Sequence, residues 1–262
     1  MSKIIINKVT SSQGFAWLGR SFSLFGKSAA IWIVMFILFV GINLLLGMIP
    51  FLELLPTILA PTFAVGFFVG CKELQANRML QIDHLFAGFK NNFQMLFRLG
   101  LIYFGCNLII FTLASLYVSQ TVPEAALNLL AQAQTQPDMV AVLQSNPEII
   151  PAILTAVFIA LVLSIPLVMA TWFAPALVYF KQLRPLQAMV LSVKACNKNL
   201  LPFLLYGLMF IPLLLLALLP LGLGMLVMLP VMLISQYISF QQVFSSDDDT
   251  DSEDGDSGVL TL

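Results

Sequence analysis

The chain has 262 residues, 60% of them apolar and only 10% charged, with a formal net charge of −1. Soluble globular domains average about 45–50% apolar and about 25% charged residues, so a water-soluble globule is excluded. With this charge balance no nucleic-acid partner is expected.

The first 28 residues are polar and aromatic, and Phe15, Leu18, Phe22 and Phe25 recur at intervals of 3, 4 and 3, with Gln13, Arg20 and Lys27 elsewhere. That pattern predicts an amphipathic helix in the plane of a membrane leaflet. An apolar run over 29–49 follows without a small-residue cleavage pattern, so it reads as an uncleaved span rather than a secretory signal. Pro50 marks a turn into a second run, 51–71, which carries Pro56 and Pro61.

Ile82, Leu85, Phe86, Phe89 and Phe93 form a second apolar stripe, with Asp83, Lys90, Asn91 and Asn92 off it. The third run is 99–119. The segment 120–152 is the only long connection, and it is broken by Pro123, Pro137, Pro147 and Pro151. It reads as two short helical pieces capping the outer face, or as a lid over a cavity. A fourth run covers 153–177; a third stripe of Met189, Val193, Cys196 and Leu200, with Lys194 and Lys198 opposite, precedes runs over 201–219 and 222–242.

Each of the six runs is about long enough to cross a ~30 Å hydrocarbon core as a helix. The expected fold is therefore an all-α, polytopic bundle of six transmembrane helices with three amphipathic helices on one face. If the N-terminus is cytoplasmic, all twelve Lys and Arg residues lie inside, and Pro50, 120–152 and Pro220–Leu221 carry none. The positive-inside rule selects that orientation, with both termini in the cytoplasm. Cys71 and Cys196 then face inward and Cys106 lies in a span, so three free thiols are expected.

Residues 1–244 read as one membrane domain of three similar units, 13–71, 82–180 and 187–244. Ser21-x5-Lys27 and Ser192-x5-Lys198 align, as do the turns at Pro50 and Pro220. A bundle of in-to-out hairpins preceded by basic helices would look similar without duplication. Seven of the thirteen acids crowd into 247–256, so residues 245–262 read as a disordered acidic cytoplasmic tail. The calcium-loop pattern fails there, because Thr250 and Ser252 stand where ligands are needed.

His84 is the single histidine, and the sequence lacks an HExxH pair, a P-loop and a paired intramembrane Asp site. No enzyme and no cofactor are expected. Glu53 sits just past Pro50 and reads as facing the outer headgroups. Among the uncharged polar residues in spans, Asn43, Asn107 and Thr171 are the candidates for a polar interior. The two Asn are expected to point inward and bond another helix. Lys27, Lys90, Lys194 and Lys198 are the candidate contacts to anionic lipid headgroups.

Trp172-Phe173-Ala174-Pro175-Ala176-Leu177-Val178, Leu85-Phe86-x-x-Phe89 and Gly222–Pro230 together resemble a family of uncharacterised six-span inner-membrane proteins of proteobacteria. The likeness covers about residues 15–244. It implies an architecture and a bacterial inner-membrane location, and carries over no catalytic or binding residue. The expected role is a non-enzymatic one, through lipids, a membrane-protein partner or a second copy of the chain, for example in envelope assembly. The alternative is a permease for an uncharged or amphiphilic solute, using the Pro-kinked spans and the 120–152 segment.

Overall fold

The structure, a computed structural model, describes residues 4–133, 135–219 and 221–245. The turn residue Pro220 and the acidic tail beyond Ser245 lie outside the described residues. In chain order the elements are β1 (Ile5–Ile6), α1 (Gln13–Gly26), α2 (Ala29–Met48), α3 (Leu55–Gln75) and a 3-10 turn (Ile82–Phe86). Next come α4 (Ala87–Lys90), α5 (Phe93–Thr121), α6 (Glu124–Gln132), α7 (Gln136–Ser145) and α8 (Ile149–Trp172). The chain continues through α9 (Ala174–Phe180), α10 (Pro185–Lys198), α11 (Leu200–Leu218), α12 (Met225–Val243) and β2 (Phe244–Ser245). Among these, α2, α3, α5, α8 with α9, α11 and α12 are long and apolar enough to cross a membrane. This is the six-span, all-α polytopic fold that the hydropathy pattern predicts.

The chain divides into two compact units, Met1–Leu101 with Met169–Leu262, and Ile102–Val168. In the first, α3 and α12 are the inner helices, with more than half of their side chains buried, whereas α2 and α11 bury fewer than a quarter. Trp32, Met35, Phe67, Phe68 and Ile234 are fully enclosed there. The Trp32 and Phe67 rings stack with centroids 5.9 Å apart, and Phe68 stacks on Tyr237 at 6.1 Å. Leu44, Leu45, Leu204 and Leu208 on the outer helices stay exposed, the apolar surface that hydrocarbon solvates.

The three amphipathic stretches depart from the expected arrangement. Each packs on helices instead of only lying on a leaflet: α1 on α11 and α12, the 82–90 stretch on α3, and α10 on α9. In α1 the buried face is Gly14, Trp17, Leu18, Ser21, Leu24 and Phe25, while Phe15 and Phe22 of the expected stripe are exposed. Small residues explain the choice of face. A Cβ on Gly14 would lie 2.3 Å from the Pro202 carbonyl oxygen, and one on Gly66 2.4 Å from that of Leu85. The second stretch is also not one helix. It runs as a 3-10 turn and a single α-turn, and Asn92 then takes a left-handed conformation at φ 60° before α5 begins.

In the second unit, Val122, between α5 and α6, and Ala126 of α6 pack with Ile149 and Ala152 of α8. Leu127, Leu130, Val142 and Leu143 pack around them. The prolines of this segment begin helices more than they break them. Pro123 precedes α6, and Pro137 and Pro151 fall in the first turns of α7 and α8, where the missing N–H has no partner to lose. Thr135 and Asp138 cap α7 reciprocally.

Candidate functional site

In the first unit, the ends of the spans that carry the basic residues converge. Ile5 and Ile6 pair antiparallel with Ser245 and Phe244, so the start of the chain and the end of the last span share one face, as an even number of crossings requires. Asn199, between α10 and α11, ties this region together. Its Oδ1 accepts the Val9 N–H at 2.8 Å, and its Nδ2 donates to the carbonyls of Asn7 and Ala195, both at 3.0 Å. Lys198 donates to the Ile6 carbonyl at 2.7 Å. Asn92 Nδ2 donates to the Val178 carbonyl at 2.8 Å, joining the start of α5 to α9.

Pro175 has no N–H and disfavours a continuous helix, and the fourth span breaks between Trp172 and Ala174. In an unbroken helix the Phe173 N–H would meet the Met169 carbonyl. Here the Ser192 hydroxyl of α10 stands between them, accepting from Phe173 N at 3.0 Å and donating to Met169 O at 2.6 Å. Gln236 of α12 donates to the freed Trp172 carbonyl. Every backbone group named here is thus satisfied by a side chain from another helix, which is why Phe173 to Val178 can be buried so completely. Cys196, beside this break, is enclosed, and burial pushes its thiol up to about 12.

A groove of about 260 Å³ opens at the same end, between α1, α3 and α12. Arg20, Ser23, Leu24 and Lys27 form its α1 wall, and Gln75, Gln241 and Gln242 face them. Gln75 and Gln241 exchange two amide hydrogen bonds at 2.8 Å, which fixes the ends of α3 and α12 against each other. Gln242 Oε1 accepts the Trp17 indole N–H at 2.6 Å. No acid lines this groove.

The residues singled out by sequence have unequal fates. Lys27 is exposed and lines the groove, and Lys194 is exposed. Lys90 pairs with Asp83 at 3.0 Å, and that contact holds the Asp83 carboxyl below its ordinary value. Lys198 is committed in part to the Ile6 carbonyl. The Asn expectation needs correcting. Asn43 and Asn107 donate to the carbonyls of Phe39 and Tyr103, four residues back in their own helices, at 2.6 and 2.9 Å. A half-buried amide satisfied by its own helix has no need of a neighbour. Asn43 and Thr171 belong to the first unit and Asn107 to the second. Arg20, the three Gln residues and Asn199 were not singled out by sequence. The available signal was polar side chains clustering at span ends.

Comparison with known proteins adds one relative. The chain is 28% identical over 213 residues to a protein of Burkholderia thailandensis named as a probable inner membrane protein, covering 79% of this chain and 76% of that one. No protein-family profile and no solved structure match it.

Proposed function

We propose that this chain is a non-enzymatic protein of the bacterial inner membrane that works through contacts with anionic lipid and with membrane-protein partners or further copies of itself. The observation that carries the reading is the basic end of the first unit. Of the described Lys and Arg residues, all but Lys181 and Lys198 are exposed, and the amphipathic stretches that bear several of them are anchored to the span ends. Cations held at headgroup depth attract anionic lipid by about 1 kcal/mol each. The relative's name supports the inner-membrane location. The enclosed aromatic filling around Trp32, Phe67 and Phe68 supports this reading over a permease that would carry solute between α2, α3 and α12. Assistance to envelope assembly is the finer form of the same role.

Two measurements test it. Native mass spectrometry of the full-length protein from bacterial membranes should show phosphatidylglycerol or cardiolipin enriched over its bulk proportion; bulk proportions would reject the lipid part. For orientation, a reporter fused after Phe244 should be active only in its cytoplasmic form, and one inserted beside Gln134 only in its periplasmic form. Reversal at both sites would turn the protein over.

A further inference from the structure

We infer that the groove between α1, α3 and α12 is a binding site for one phosphate group, carried by an anionic lipid of the adjoining leaflet or free in solution. This deepens the lipid reading above and rests on it. Arg20 and Ser23 of α1 and Lys27, the residue that caps it in helical conformation, are spaced i, i+3, i+7, so the three project from one helix face toward the groove. Both cations are exposed, and among the described residues neither forms an ion pair.

The opposite wall offers donors too, for a reason of chemistry. An indole N–H can only donate, so the Gln242 atom facing Trp17 must be the amide oxygen. That leaves the Gln242 NH2 group as the part without a partner among the described residues. A guanidinium, an ammonium, a hydroxyl and an amide NH2 converge with no carboxylate among the lining residues, which selects an anion with several oxygens. The floor is apolar, because Leu24 and Ile238 lie beneath, both nearly buried. At about 260 Å³ the groove has room for a headgroup. A polar anionic head above an apolar floor at the end of two spans is the geometry of a lipid phosphate.

The full-length protein in phosphatidylcholine nanodiscs, with phosphatidylglycerol added in steps, provides the test, read as bound phosphatidylglycerol by native mass spectrometry. Arg20→Gln and Lys27→Gln should each weaken binding about fivefold and the double variant about twenty-fivefold. Gln187→Ala, at an exposed uncharged side chain that does not line the groove, should change it less than twofold. All four proteins should melt together in neutral detergent, since none of these side chains is buried. Inorganic phosphate is the second arm. Competition with phosphatidylglycerol at millimolar concentration assigns the site to phosphate itself, and failure to compete assigns it to the lipid; both keep the site. Wild-type affinity in the double variant would overturn the site while leaving general lipid binding intact. Equal binding of phosphatidylglycerol and phosphatidylcholine by the wild type would overturn both.

Discussion

Gly66→Ala and Gly100→Ala are expected to destabilise the protein by about 1–3 kcal/mol each, the range for forcing extra volume into a packed interior. An added Cβ at Gly66 would lie 2.4 Å from the Leu85 carbonyl oxygen, and at Gly100 1.8 Å from that of Ile58. Both obstacles are backbone atoms, which cannot turn aside as a side-chain tip can. Relief requires α3 to separate from the 82–90 stretch in the first case and from α5 in the second. Gly41 and Gly207 have nothing within 4 Å of the same position, so their replacement by Ala should be neutral or stabilising by about 0.5–1 kcal/mol. Thermal midpoints in one detergent would compare all four. Equal midpoints would mean that α3 does not pack this closely on its neighbours.

Asn199→Leu should cost about 2–4 kcal/mol and loosen the start of the chain. The side chain is almost completely buried and satisfies the Val9 N–H and the Asn7 carbonyl. Leucine has nearly the right size but takes the acceptor from the buried Val9 N–H and one donor from the partly buried Asn7 carbonyl; an orphaned buried group costs about 1–3 kcal/mol. Hydrogen exchange at Val9 and protease cleavage near residues 4–10 should therefore accelerate, while the spans stay protected. Asn199→Asp keeps an acceptor for Val9 but turns a second oxygen toward the Asn7 and Ala195 carbonyls in a buried site, so it should cost at least as much. Wild-type exchange at Val9 in Asn199→Leu would show that the pairing of β1 with β2 holds the segment alone.

The spans were legible because burial in hydrocarbon demands a long apolar run whatever it packs against. Their ends moved by only a few residues, as with 51–71 becoming Leu55–Gln75. The destinations of the amphipathic stretches were not legible. An apolar stripe satisfies lipid and protein alike, and the choice between them rests on residues that hydropathy ignores. Gly14 admits the Pro202 carbonyl and Ser21 bonds Ser235, so the face of α1 turned inward includes both. Asn43 and Asn107 misled for a related reason: a long amide can turn back on its own helix, and sequence does not record that turn. The groove was hidden by distance along the chain. Gln75 and Gln241 are unremarkable apart, and only the folded span ends bring them together.

The placement of α1 also sets an order of events during synthesis. Its Ser21 partner, Ser235, lies 214 residues further along. At about 5–20 residues per second, the ribosome takes roughly ten to forty seconds to make that distance. Until α11 and then α12 are made, Trp17, Leu18 and Leu24 lack the helices that cover them, and the leaflet surface is the apolar phase within reach. The aromatic content of the first helix thus suits it to wait on lipid and then to exchange lipid for α12. Until the last span arrives the ring of contacts stays open, which makes the N-terminal helix the final piece to be seated although it is the first to be made.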